Sequence, residues 1–189
     1  MSRRAVAAIL AAAVVVAAAC GSSSDRGVPA PRRGSAPASS PAAAAAGLVG
    51  HRRLEAFVPA VAGWKAGRVA GADVSLPAPA SHVRATFTKD AVVVDLELTD
   101  SGGEASYVQA LASIAGTPFH EEAPNGYMKG TTVAGFPAVE SFNRDDNLAE
   151  ITILINRRFI VHASGTGGGV ESVQDVVSHI DLGGISALK

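Results

Sequence analysis

Three residues near the end of the chain have the side-chain types of a serine hydrolase. Ser164, His162 and Asp175 could supply a nucleophile, a general base and an orienting carboxylate. The chain contains no G-x-S-x-G segment, which in many hydrolases holds the serine on a turn between a strand and a helix. Side chains of these types occur together by chance in many domains, so the sequence favours a protein without catalytic activity. A hydrolase-like enzyme, with its groups assembled from separate strands, is the alternative.

Carboxylates at three other places could act as acids or bases, or bind a cation. Asp95, Glu97 and Asp100 project from one predicted strand, and Asp95 and Glu97 share a face because strand side chains alternate. This pattern favours the solvated face of an edge strand. His120-Glu121-Glu122 lacks the second histidine of a zinc-binding HExxH helix and predicts a solvated loop. Asp145-Asp146-Asn147 predicts a turn, since a calcium loop needs more oxygen ligands. We therefore expect no metal and no cofactor.

A glycine-rich run, from Gly165 to Gly169, precedes a predicted helix. Exposed backbone amides and the positive end of that helix could bind a phosphate or carboxylate, which makes a candidate anion site of Gly165, Gly167, Gly168 and Gly169. The run lacks both the lysine of a P-loop and the G-x-G-x-x-G spacing of a dinucleotide site. A connector between strand and helix is the favoured interpretation.

The first twenty residues have the layout of an export signal. Arg3 and Arg4 are followed by fifteen small or apolar residues, 5–19, and then by Cys20, the one cysteine of the chain. A helix of fifteen residues is about 22 Å long. The hydrocarbon core of a bilayer is about 30 Å thick, so the run predicts a cleaved secretory signal in preference to a spanning helix.

The residues around Cys20 indicate how the exported chain is processed. Ala17-Ala18-Ala19-Cys20 resembles the lipobox of bacterial lipoproteins, with Ala17 where leucine is usual. The resemblance implies that residues 1–19 are a lipoprotein signal peptide and that Cys20 carries the lipid and becomes the new N-terminus. It also implies a cell-envelope location. Because Gly21 is not aspartate, that location is the outer membrane in a bacterium with two membranes, and otherwise the outer face of the plasma membrane.

Composition divides the rest of the chain into a linker and one domain. Residues 20–50 are rich in Ala, Pro, Ser and Gly, which predicts a disordered linker. Residues 51–189 have the length of a single domain. This domain has eleven basic and sixteen acidic residues, a net charge of −5, whereas residues 1–50 have five basic and one acidic. An acidic domain gives no reason to expect nucleic acid as a partner, and we expect contact with the membrane through the lipid only.

Hydrophobic patterning predicts an α+β domain. Apolar residues at helical spacing indicate helices near residues 54–61, 101–115 and 170–180, the last ending at Gly183-Gly184. Alternating residues indicate three strand pairs, 83–98, 127–142 with a break at Ala134-Gly135, and 151–161. Some of these strands are apolar on both faces, which indicates coverage on both sides. The predicted fold is an antiparallel sheet of about six strands with helices packed on both faces.

The order of these elements resembles the PsbP-like fold. The resemblance is carried by Trp64 after the first helix, the strand pair around 133–138, a pair ending in Arg158-Phe159-Ile160-Val161, and the closing helix. That fold occurs in photosystem extrinsic subunits and in bacterial lipoproteins, most of which act in binding or assembly. The resemblance implies a non-catalytic binding or assembly module, whose partner would be an envelope protein, a cell-wall component or a small molecule. Trp64 and Tyr127, if exposed side by side, would form its binding patch.

Overall fold

A computed structural model describes residues 47–75, 79–103, 106–115 and 117–189. In this part of the chain the helices are α1 (His51–Leu54), α2 (Ser106–Ala115), α3 (Gly169–Ser178) and α4 (Leu182–Ser186), with a 3₁₀ turn at Glu55–Phe57. The strands are β1 (Lys65–Ala66), β2 (Ala70–Val74), β3 (Ala80–Lys89), β4 (Val92–Asp100), β5 (His120–Ala123), β6 (Gly126–Val133), β7 (Phe136–Asn143), β8 (Leu148–Ile155) and β9 (Phe159–Thr166).

All the strands belong to one antiparallel sheet. Its order is β1-β3-β4-β9-β8-β7-β6-β5, and β2 pairs with β3 as well. The antiparallel α+β class is therefore confirmed, but the predicted number of about six strands was too low. The extra strands are β1, β2 and β5, which are short and mostly exposed and so lack the apolar alternation that marks a strand in sequence.

Tight turns connect neighbouring strands. Ala134 and Gly135, with φ values of 48° and 84°, form the two-residue turn between β6 and β7 at the predicted break. Positive φ at both positions gives a turn whose twist matches that of a hairpin. Residues 144–147 form the predicted turn between β7 and β8. Because these connections are short, the register of each strand against the next is fixed.

We call the face of the sheet that carries the main core the inner face. Alternate residues of β3, β4, β8 and β9 pack there against α1, α3 and α4, and the buried set includes Phe87, Leu96, Ile151, Ile153, Val161, Leu54, Val173, Val177 and Ile185. The valine stripe predicted for the third helix thus packs on the sheet. That helix ends at Ser178 rather than at the glycine pair, and Gly183 and Gly184 lie inside α4.

The opposite face, which we call the outer face, is covered at one end only. There α2 packs through Val108, Leu111 and Ala115 against Leu154 and Ile160. The rest of this face carries polar side chains, among them Arg84, Asp95 and Glu97, and no described helix lies over them. The prediction that helices pack on both faces of the sheet is therefore not confirmed. The first predicted helix is also shorter than expected, because its last turn ends at Phe57, two residues before Pro59.

Candidate functional site

The residues of the hydrolase hypothesis are not brought together. His162 and Ser164 are alternate residues of β9, and both project from the outer face. Asp175 belongs to α3 on the inner face, where its Oδ2 accepts a hydrogen bond of 2.9 Å from Trp64 Nε1. The sheet lies between the carboxylate and the other two groups, so these three residues form no catalytic triad.

Two acids of the described residues are buried, and one of them is Glu140 of β7, which is 4% exposed. Tyr127 Oη donates to its Oε1 at 2.7 Å, Gln174 Nε2 donates to its Oε2 at 3.0 Å, and Lys129 Nζ lies 2.8 Å from Oε1. Burial acts to raise the pKa of Glu140, but these hydrogen bonds outweigh it and the pKa lies below its ordinary value. Glu140 is thus an ionised carboxylate with both oxygens occupied, a state unsuited to a general acid.

A second buried acid, Asp100 at the end of β4, has no exposed surface. Arg158 donates to both of its oxygens, and the backbone N–H groups of Val49 and Gly102 donate as well. Burial acts to raise the pKa of Asp100, while the hydrogen bonds lower it, and the lowering is the larger effect. Asp100 is therefore fully paired and joins parts of the chain to one another. The sequence grouped Asp100 with Asp95 and Glu97 on a solvated strand, which is wrong for Asp100 because it is buried, and it did not single out Glu140.

The glycines of the candidate anion loop have close neighbours within the chain. A Cβ at Gly165 would lie 2.7 Å from Val173 Cγ2, and a Cβ at Gly167 would lie 2.8 Å from the carbonyl oxygen of Ala91. Gly168 is the N-cap of α3, and its carbonyl oxygen accepts a hydrogen bond from Ser172. At Gly169 an added Cβ would lie 2.9 Å from a carboxylate oxygen of Glu171. Close packing accounts for the small residues at Gly165 and Gly167, and a carboxylate of the chain itself lies at the first turn of the helix.

His120, Glu121 and Glu122 form edge strand β5, where a loop was expected. His120 Nε2 lies 3.7 Å from Glu122 Oε2, and its ring stacks on Tyr127 with centroids 6.1 Å apart. Within the described ranges, no group of three His, Cys, Asp or Glu side chains is placed to hold a metal ion.

The two aromatic residues of the proposed patch are not side by side. Both Trp64 and Tyr127 are partly buried against the main core, but their hydrogen-bond partners lie on different elements, α3 and β7. Trp64 bonds to Asp175 and lies beneath Lys89 Nζ, 5.7 Å from the ring centroid. Tyr127 bonds to Glu140, and its pKa is raised to about 12 by burial and by that hydrogen bond. An exposed aromatic pair is thus not the binding surface.

The outer face instead carries a continuous line of accessible residues. Seven residues, one from each of seven neighbouring strands, lie opposite one another in the register of the sheet. We call this line the transverse row, and it consists of Thr86, Asp95, Ser164, Glu150, Ser141, Met128 and Glu121. Two shallow cavities lie along it. One, of about 430 Å³, lies over β3, β4 and β9, and the other, of about 310 Å³, lies over β5 to β8.

The two cavities adjoin at the middle of the transverse row. Ser164 lines the first and Glu150 the second, and these residues are Cα partners on β9 and β8. Asp95 and Glu97 line the first cavity, where Asp95 accepts a hydrogen bond of 2.6 Å from Thr86 and Glu97 pairs with Arg84 at 2.9 Å. β4 is an interior strand, so the prediction that these two acids lie on an edge strand was wrong, although the face they occupy is open.

Comparison with known proteins adds nothing to this geometry, since the chain matches no family model, no curated protein and no solved structure. Cys20, the signal peptide 1–19 and the linker up to residue 46 lie outside the described residues. Among the residues that are described, no helix is both long enough and apolar enough to cross a bilayer.

Proposed function

We propose that this protein is a lipid-anchored lipoprotein of the cell envelope that works as a non-catalytic binding or assembly module, and that it binds through the outer face. The observation that carries the proposal is the transverse row. Along this row the sheet crosses seven strands and carries two adjoining cavities, which offer a partner an extended surface that no described helix covers.

The state of the buried acids supports binding over catalysis. A general acid or base needs a carboxyl group whose pKa is shifted toward neutrality and whose oxygen is free to reach a substrate. The pKa values of Asp100 and Glu140 are lowered instead, and both groups bond to neighbours within the chain. The five acids that line the two cavities are not buried, and they are Asp95, Glu97, Glu121, Glu122 and Glu150. The runner-up function, a hydrolase-like envelope enzyme, has no comparable observation in its favour.

The anchor and the location rest on the sequence. The charged start, the fifteen-residue apolar run and Cys20 support lipidation of that cysteine, and the Ala- and Pro-rich residues after it support a tether that holds the domain away from the membrane. More than one acyl chain on Cys20 would give stable attachment, because a single chain binds a bilayer only marginally. The PsbP-like layout is in keeping with a binding role.

Site-specific photo-crosslinking in intact cells tests the binding surface. A photoreactive amino acid at Met128, which is 44% exposed in the transverse row, should give covalent adducts with a partner. The matched control is the same amino acid at Arg52, an exposed residue of α1 on the inner-face side. Adducts from Arg52 and none from Met128 would overturn the assignment of the outer face.

Cys20→Ser tests the anchor. The variant should leave the membrane fraction, while Ser23→Ala, a neighbouring change that keeps the cysteine, should stay in it. Mass spectrometry of the mature protein should show an N-terminal residue 20 carrying acyl chains. A free thiol at Cys20, or membrane sedimentation that does not change in Cys20→Ser, would contradict lipidation.

A further inference from the structure

We propose that the partner held by the outer face is a basic segment of polypeptide that lies along the transverse row, across the strands. This inference rests on the proposed function and adds the chemistry of the partner. It is drawn from the length of the row, its charge, and the kind of side chain between the charges.

The length of the row fits a polymer. Seven strands are joined by six intervals, and neighbouring strands are about 4.8 Å apart, so the row is about 29 Å long. A peptide in the polyproline II conformation rises about 3.1 Å per residue and would need about nine residues to cover it. The two cavities over which the row runs adjoin at Ser164 and Glu150, so a single ligand can occupy both.

The charge of the row favours a positively charged partner. Within it, Asp95, Glu150 and Glu121 are acidic and no residue is basic. The two cavities together are lined by five carboxylates and a single guanidinium, that of Arg84, which pairs with Glu97. His162 Nε2 lies 3.9 Å from Glu150 Oε1 at the border of the cavities. Nucleic acids and anionic lipid surfaces would be repelled by this face, whereas lysine and arginine side chains would be attracted.

The spacing of the acids fits basic residues about three positions apart. Asp95 and Glu150 are separated by two strand intervals, about 10 Å, and Glu150 and Glu121 by three, about 14 Å. Over a polyproline II peptide, whose every third side chain lies on the same side, these distances correspond to about three and about four to five residues. Between the acids lie Ser164 and Ser141, whose small hydroxyl groups allow a backbone to approach and to form hydrogen bonds.

A labelled peptide tests the inference directly. The probe is a nine-residue peptide with lysine at every third position and polar residues between, and binding to the full-length chain in detergent is followed by fluorescence anisotropy. Asp95→Asn and Glu150→Gln should each weaken binding about fivefold, the effect of one partly exposed ion pair. The control is Glu55→Gln, an exposed acid of the 3₁₀ turn at Glu55–Phe57 on the inner-face side, and it should change the Kd by less than about twofold. The same peptide with glutamate in place of lysine should not bind.

Equal losses in Glu150→Gln and Glu55→Gln would show attraction to the net charge of the domain alone and would overturn the inference. Absence of binding would do the same. These failures are distinct from failure of the proposed function. If crosslinking at Met128 captures a partner that is not basic, the outer face binds and the inference about its partner is wrong. If crosslinking at Met128 captures nothing while Arg52 does, the proposed function itself is wrong.

Discussion

Asp100 and Arg158 form a two-point ion pair that ties together three parts of the chain distant in sequence. Arg158 Nε donates to Asp100 Oδ1 and Nη2 donates to Oδ2, both at 2.8 Å. Val49 N donates to the same Oδ2 at 2.7 Å, and Arg158 Nη2 also donates to the carbonyl oxygen of Gly47 at 2.6 Å. The pair thus fixes the first described residues of the domain to the ends of β4 and β9, two interior strands.

Asp100→Asn should lower the free energy of unfolding by about 3 kcal/mol. The change removes the charge of a fully buried carboxylate and leaves the guanidinium of Arg158 without its partner, and broken buried pairs cost amounts of this order. Urea denaturation followed by circular dichroism measures the effect. Asp95→Asn, the same substitution at an exposed position, should change stability by less than about 0.5 kcal/mol. Equal effects at the two positions would contradict the structural role of Asp100.

The free energy of unfolding should fall at low pH because the two buried carboxylates become protonated. Asp100 and Glu140 have pKa values in the folded state below their ordinary values of 3.8 and 4.5, so the unfolded chain binds their protons first. Their contribution is complete above about pH 5 and is lost as the pH falls through the lowered folded values. Urea midpoints should therefore be level from pH 7 to about pH 5 and decline below about pH 4. Asp100→Asn should show a shallower decline, and an unchanged slope would contradict the assignment.

Tyr127 should titrate at unusually high pH. Its hydroxyl group donates to ionised Glu140, and loss of that proton would place two negative charges 2.7 Å apart in a partly buried site, which raises the pKa of Tyr127 to about 12. Absorbance at 295 nm reports tyrosinate, and Tyr127→Phe identifies its signal among the two tyrosines of the chain. Glu140→Gln should move the Tyr127 titration toward the ordinary value near 10. Circular dichroism on the same samples shows whether the fold persists, and a folded Glu140→Gln protein with no shift would refute the coupling.

The parts of the fold that the sequence predicted depend on local signals. The strand pair around Ala134-Gly135 has alternating residues on both sides of a turn, and both features lie within a few positions of one another. The valine stripe at Val170, Val173 and Val177 likewise lies within one helix. By contrast, β5 has no apolar alternation and is a strand because β6 pairs with it. Gly183 and Gly184 enter a helix because Asp181 Oδ1 accepts from Gly184 N at 2.8 Å, a cap that offsets their low propensity.

The candidate site could not be predicted because it depends on strand order and register. Asp95 and Ser164 become neighbours only because β9 lies between β4 and β8, and no single strand contains more than one member of the transverse row. The sequence did contain a signal that Asp100 is buried. Val94, Leu96 and Leu98 point inward, and the same two-residue period places Asp100 inward too, where an acid needs a partner. That partner, Arg158, is 58 residues away in the sequence, so its identity required the structure.

Close packing and anion binding are two explanations for the glycine run from Gly165 to Gly169, and each has its own test. Gly165 lies on β9 beneath α3, and a methyl group there would be 2.7 Å from Val173 Cγ2 and 3.1 Å from Val94 Cγ2. Gly165→Ala should therefore force α3 away from the sheet and destabilise the protein by about 1–3 kcal/mol. Gly183→Ala is the matched control, because its Cβ would meet only Asp181 Oδ1, at 3.6 Å, and alanine in place of a helical glycine stabilises by about 0.5–1 kcal/mol. Opposite shifts in the urea midpoint are expected. If Gly165→Ala folded with unchanged stability, packing would not explain the glycine. Anion binding is tested separately, by titrating the wild-type chain with phosphate. An unchanged melting temperature would count against the loop as an anion site.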